Sequence, residues 1–294
     1  MSSPESSDRD AAPSAAVAQV PQVFFLTGSS RGLGRAMAHA VLEAGHQLVA
    51  TARRPGDLQD LVAQHGDRVL PVALDVTDAA AAQRAIALGV ARFGRLDVVV
   101  NNAGFAAVGA VEDMPLAAIE SQFATNFMGS VHVIKAALPV LRAQGAGHII
   151  QVSSIGARIA TPGAAAYYAT KWALSGFLQS LALEVAPLGL RVTTLEPGGL
   201  RTDFAKPSSV TLYPASAAYT ATAGAVVDMM QAPGYADDYA DPTRLAEVML
   251  RVAALDTPPV RLLCAGAMLA VAQEAQRTLA QSDADWAWLA RMAD

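Results

Sequence analysis

The chain has a single cysteine, Cys264, among 294 residues. It therefore cannot close an internal disulfide, and it offers no cysteine-based zinc site. Lysine is nearly as scarce: Lys135, Lys171 and Lys206 are the only ones, and the net charge is -5. Neutralising phosphates takes clustered Lys and Arg, so no nucleic-acid partner is expected. The five histidines, at positions 39, 46, 65, 132 and 148, follow no ligand spacing, and no metal is expected. No stretch approaches the roughly 20 consecutive apolar residues of a membrane-spanning helix. Residues 1–20 open on Ser, Pro, Glu and Asp without a basic segment or a continuous apolar run. That pattern predicts a flexible tail, not a secretory signal, and the expected location is the cytoplasm.

What the chain does have is apolar mass: 53% hydrophobic residues against 16% charged, enough to bury a large core. The short run Val23-Phe24-Phe25-Leu26 reads as a strand buried on both faces, and Leu33, Met37, Val41 and Leu42 then recur at helical spacing until Gly45. The alternation continues. Strands are expected at Gln47–Ala52, Val69–Leu74, Leu96–Asn101, His148–Ser153, Arg191–Glu196 and Val260–Cys264. Helices are expected near Ala79–Phe93, Leu116–Arg142, Ala164–Ala186 and Pro242–Ala254. Strands alternating with helices predict a parallel sheet covered on both faces, a doubly wound α/β domain spanning 21–294. Two parts break the rhythm. Residues 199–241, rich in Pro, Gly, Ser and Tyr and without a clear strand, start just past a strand's carboxyl end, where such sheets bind ligands, and read as a substrate lid. Residues 267–294 read as an Ala-rich helical tail whose Trp286 and Trp288 pack against the domain or a partner subunit.

Two features carry chemistry. The first strand runs into Thr27-Gly28-Ser29-Ser30-Arg31-Gly32-Leu33-Gly34 and straight into a helix. Glycines there permit a tight turn and close backbone approach, and the helix start offers unpaired N–H groups and a positive dipole end to a pyrophosphate. Farther on, Tyr167 and Lys171 lie four residues apart on an expected helix, so their side chains leave one face a turn apart. Tyr168 has Trp172 at the same interval, so the spacing selects Tyr167. A phenol ordinarily titrates near 10; a neighbouring ammonium, together with any further cation bound beside it, is expected to stabilise its phenolate and fit it for proton exchange.

With the spacing G-x-x-x-G-x-G, the chain resembles the short-chain dehydrogenase/reductase family. The likeness extends through Asn101-Asn102-Ala103-Gly104, Ser153-Ser154, Tyr167-Tyr168-Ala169-Thr170-Lys171 and Pro197-Gly198, in that family's order, over about Val23 to Gly266. The resemblance implies a Rossmann-type sheet of about seven strands in the order 3-2-1-4-5-6-7. It implies a catalytic set of Ser154, Tyr167 and Lys171, with Asn126 holding a water beside the lysine. It implies a cofactor cradle of Gly28, Ser30, Arg31, Gly32, Leu33, Gly34, Asp75, Val76, Asn101, Asn102, Ala103, Gly104, Pro197, Gly198 and Thr202, with Tyr167 and Lys171 at the reacting end. Asp75 corresponds to a carboxylate that meets the adenine amino group, although a helix N-cap is its other reading and Asp78 suits that task better.

Charge separates the two nicotinamide cofactors. NAD-selective sites place an acid about 20 residues past the glycines; here Ala52 stands there, followed by Arg53 and Arg54. Arginines pair with a 2'-phosphate, so NADP(H) is the expected cofactor. Phe105–Val108, Ile155–Arg158 and Phe204 outline a mostly apolar pocket for a hydrophobic carbonyl or alcohol substrate, and the resemblance implies a homodimer or homotetramer. Two other readings stand beside hydride transfer. A noncatalytic dinucleotide sensor is expected to have lost the tyrosine or the lysine. An epimerase or dehydratase needs a larger carboxyl-terminal substrate domain.

Overall fold

The computed structural model describes residues 20–202 and 209–294. Seven parallel strands make the main sheet. Counting every strand and helix of the chain in order, these are β1 (Val23–Leu26), β2 (Gln47–Ala52), β3 (Val69–Ala73), β4 (Val98–Asn101), β6 (Gly147–Val152), β7 (Leu190–Pro197) and β9 (Arg261–Cys264). Their spatial order is β3-β2-β1-β4-β6-β7-β9, which is the expected 3-2-1-4-5-6-7 when only main-sheet strands are counted. The helices are α1 (Gly32–Glu43), α2 (Gln59–His65), α3 (Ala79–Phe93), α4 (Leu116–Phe123), α5 (Gly129–Gln144), α6 (Ala165–Val185), α7 (Ala225–Gln231), α8 (Pro242–Ala254), α9 (Leu269–Asp285) and α10 (Ala287–Ala290).

Residue alternation assigns the strands' two faces to two cores. Phe24 and Leu26, with Val98, Val100, Ile150 and Leu195, bury against Met37 and Val41 of α1 and Leu245 and Met249 of α8. Val23, Phe25, Val99, Ile149 and Val192 bury against Ile86 of α3, Val133 and Ala137 of α5, and Leu174 and Leu178 of α6. Successive side chains leave a strand on opposite sides, so a strand covered on both faces has to be apolar throughout, as β1 and β4 nearly are. The order reverses between β1 and β4, and the carboxyl ends of these strands flank the crevice where ligands enter such sheets.

Four elements depart from the sequence expectation. Helix α2 fills what reads as a bare connection between β2 and β3. The expected helix over 116–142 is a rod interrupted by a π turn at Ala124–Met128. Residues 199–241 are not strandless: β8 (Val210–Leu212) pairs in parallel with β5 (Ala106–Val108) as a small second sheet, and α7 follows. The carboxyl-terminal tail is helical, but Trp286 and Trp288 stay more than half uncovered within this one chain. They are 58% and 57% exposed, with ring centroids 6.3 Å apart. No helix among the described residues is long and apolar enough to cross a membrane.

Candidate active site

The turn between β1 and α1 is closed by groups from the far side of the crevice. Thr27 Oγ1 accepts from the backbone N–H groups of Asn102 (2.9 Å) and Ala103 (3.0 Å). The Asn102 amide donates to the carbonyls of Thr27 (3.0 Å) and Gly28 (3.3 Å). Gly28 sits at φ +70°, and a Cβ on Gly34 would lie 2.0 Å from the Gly28 carbonyl oxygen, so neither position tolerates a side chain. Helix α1 begins with Gly32 and Leu33, its N-cap Arg31 makes no side-chain capping bond, and no acid stands in its first turn. A backbone with no room for Cβ atoms, opening on the uncapped positive end of a 12-residue helix, fits a dinucleotide pyrophosphate.

The side of the cleft next to β2 carries exposed cations. Arg53 is exposed and forms no ion pair among the described residues, whereas Arg54 pairs with Asp57 at 3.2 Å. One further residue goes unnoticed in the sequence: Arg35 donates to the carbonyls of Ser30 (3.3 Å) and Asp57 (2.6 Å) and pairs with Asp60 at 3.1 Å. It fastens the glycine turn to the segment after β2. The available signal is its place four residues after Arg31, one helical turn on. Asp75, at the end of β3, is exposed and accepts from the Thr77 N–H (3.0 Å) and hydroxyl (2.7 Å). The N-cap of α3 is Asp78. Val76 is core: its side chain packs on Gly129 and its carbonyl meets His132 Nδ1 at 3.0 Å.

Ser154, Tyr167 and Lys171 come together at the carboxyl end of β6. The Ser154 hydroxyl is hydrogen-bonded to Tyr167, and the Lys171 ammonium lies 5.4 Å from the Tyr167 ring centre while donating to the Val152 carbonyl at 3.3 Å. Burial raises the Tyr167 phenol to about 12, against the lowering pull of the Ser154 hydroxyl. Burial also brings Lys171 down to about 8. Without the second cation that the expected acidification also needs, desolvation sets the direction of the Tyr167 shift. Asn126, in the π turn and buried, spends its side chain on Phe105, accepting from its N–H at 3.0 Å and donating to its carbonyl at 2.9 Å. It also reaches Thr170 Oγ1 at 3.3 Å.

On the substrate side, Tyr167 packs against a small cluster of Ala106, Val108, Val210 and Val227, drawn from β5, β8 and α7. Arg158, expected among the lining residues, pairs with buried Glu196. Phe204 lies outside the described residues. Pro197 is the last residue of β7, one past the expected strand end, and Gly198 follows it; a Cβ on Gly198 would come within 3.1 Å of the Ala265 side chain. Thr202 follows, its N–H donating to the Leu200 carbonyl at 2.8 Å.

Comparison with known proteins bears directly on this geometry. The family model for short chain dehydrogenases matches residues 22–212. The oxidoreductase BOA17 of Botryotinia fuckeliana is 46% identical over 90% of this chain and 96% of its own length. A short-chain dehydrogenase from Streptomyces avermitilis superposes with a TM-score of 0.86 at 33% identity, covering 94% of this chain and all of that one. An alcohol dehydrogenase from Thermococcus sibiricus, solved with 5-hydroxy-NADP, superposes at 0.69 with 26% identity over 83% of this chain and 96% of that one. The chain belongs to the short chain dehydrogenase family of oxidoreductases, whose members work with a nicotinamide dinucleotide.

Proposed function

We propose that this oxidoreductase is an NADP(H)-dependent carbonyl reductase and alcohol dehydrogenase for hydrophobic ketones, aldehydes or secondary alcohols. The observation that carries the reading is the convergence of Ser154, Tyr167 and Lys171 on one wall, with the phenol held protonated by burial. When bound, the nicotinamide supplies or accepts the hydride. The chain's own residues do the rest. The Ser154 hydroxyl donates to the substrate oxygen, holding and polarising it as negative charge grows. Tyr167 Oη gives its proton to that oxygen in reduction and takes one back in oxidation. Lys171, one turn farther along α6, keeps positive charge beside the phenol, and Asn126 fixes the Phe105 backbone that borders the pocket.

Gly28, Ser30, Arg31, Gly32, Leu33 and Gly34 cradle the pyrophosphate, while Asp75, Val76, Asn102, Ala103 and Gly104 border the cofactor from β3 and β4, and Pro197, Gly198 and Thr202 from β7. Arg53, with Arg31 and Arg54, selects the 2'-phosphate, and the absence of an acid at Ala52 removes the repulsion that would favour NAD. The relative from Thermococcus sibiricus, held with an NADP derivative, supports the same choice. The apolar cluster beside Tyr167 supports a hydrophobic substrate, and residues 199–241 act as the lid over it. A homodimer or homotetramer, working in the cytoplasm, belongs to the same reading; Trp172 and Leu183, 46% and 80% exposed on α6, supply its contact face.

The test is NADPH oxidation by the purified protein across a panel of aryl, aliphatic and steroid ketones, repeated with NADH. Turnover with NADPH well above NADH is the expected result. Cofactor binding without turnover on any member would replace the reductase with a dinucleotide sensor.

A further inference from the structure

Outside the groups used above, a buried polar cluster is centred on Glu196. This acid is completely buried near the carboxyl end of β7. One carboxylate oxygen takes Arg158 Nε and the other takes Arg261 Nε at 2.7 Å. Arg261 comes from β9, and its Nη2 donates to the Ala157 carbonyl at 3.3 Å. The two arginines thereby hold the carboxyl end of one short turn, at Ala157 and Arg158. That turn begins at Ser154, whose Oγ accepts from the Gly156 N–H at 3.0 Å and whose carbonyl accepts from the Ala157 N–H at 3.0 Å.

We infer that Arg158, Glu196 and Arg261 are positioning residues that set the direction of the Ser154 hydroxyl by clamping the turn from Ser154 to Arg158 onto β7 and β9. This rests on the reading that Ser154 polarises the substrate oxygen. The chemistry of the cluster argues for a task beyond cohesion. A buried ion pair is a poor source of stability, because desolvating the charges offsets their attraction, and apolar residues of similar volume hold a fold as well. Directional, charge-assisted bonds fix geometry where apolar packing does not. The hydroxyl so aimed is the group that pulls down the Tyr167 phenol. Around that phenol stand Ser154, Lys171 and Tyr168; around Glu196 stand Arg158, Arg261 and Cys264.

A double-mutant cycle on kcat for ketone reduction, with thermal melting as the check on folding, decides the matter. Ser154→Ala is expected to lose about a hundredfold, the scale of one lost donor to a developing oxyanion. Glu196→Gln is expected to lose about tenfold, and the double variant is expected to fall no more than about twofold below Ser154→Ala, because both act through one hydroxyl. KM for NADPH stays within about twofold of the parent throughout, since the glycine turn is untouched. Should Glu196→Gln not fold, the apolar combination Arg158→Met, Glu196→Leu, Arg261→Met removes all three charges; it is expected to melt near the parent and to be about tenfold slower. Losses that multiply in the double variant, or a folded variant as fast as the parent, overturn the inference. A parent enzyme inactive on the whole panel overturns the reductase reading instead.

Discussion

The two ends of the cleft are built from opposite materials. Beside β2 the groups proposed to meet the cofactor are arginines in open water: Arg53 is exposed, and Arg54 keeps 83% of its side chain in solvent. Beside β6 the groups proposed to react are withdrawn: Lys171 is 7% exposed, and both its titration and that of Tyr167 are governed by burial. Water screens the first end and not the second. The exposed end therefore selects between ligands by modest, salt-sensitive amounts, while the buried end decides whether chemistry happens at all.

Substitutions can break that contrast, beginning at the buried end. Tyr167→Phe keeps the ring and removes the proton; it is expected to bind NADPH as the parent does and to lose about a thousandfold or more in kcat. Comparable rates would take the phenol out of the mechanism. Gly34→Ala probes the turn between the two ends. Its Cβ, 2.0 Å from the Gly28 carbonyl oxygen, forces the turn open, and NADPH and NADH affinity are both expected to fall by about a hundredfold in fluorescence titrations, as the backbone approach is lost.

At the exposed end the contrast sharpens. Arg53→Ala is expected to raise KM for NADPH about tenfold at low salt and to leave NADH nearly unchanged, with the difference shrinking as salt is added. Arg54→Ala, whose guanidinium is shared with Asp57, is expected to cost only about twofold. Equal effects on the two cofactors would defeat the 2'-phosphate assignment.

A separate effect falls on stability and not on turnover. His148 is completely buried, and burial, aided by Arg191, lowers it to about 3. Between that value and the ordinary 6.5 the unfolded chain takes up a proton that the folded chain refuses, so stability falls as the pH drops through this window, by at most about 1.4 kcal/mol per pH unit. His148→Gln cannot titrate and is expected to give a shallower dependence of melting temperature on pH between 7 and 4.5. Identical slopes would remove His148 from the balance.

Sequence legibility follows the same divide between local and distant determinants. The main sheet is readable because each buried strand announces itself by its apolar run, and Tyr167 and Lys171 are readable because 21 residues of α6 give their four-residue spacing a meaning. The three-residue strands β5 and β8 carry no period of their own; each exists only because the other lies beside it, 210 against 106 in register. Helix α2, at seven residues, is equally short of signal. Glu196 hints at itself, an acid inside Thr193-Thr194-Leu195-Glu196-Pro197, since buried acids require partners. Its partners Arg158 and Arg261 become visible only once the sheet order sets β9 against β7. Trp286 and Trp288 show the converse, since bulk and hydrophobicity mark aromatic residues that gain from cover without telling whether the domain or a second copy provides it.

The place of Arg261 on the last strand also imposes a sequence of events on the newborn chain. Everything needed to shape the glycine turn has been synthesised by Gly104, and domains fold as their amino-terminal parts emerge. The turn bearing Ser154 must wait for the strand that completes the sheet.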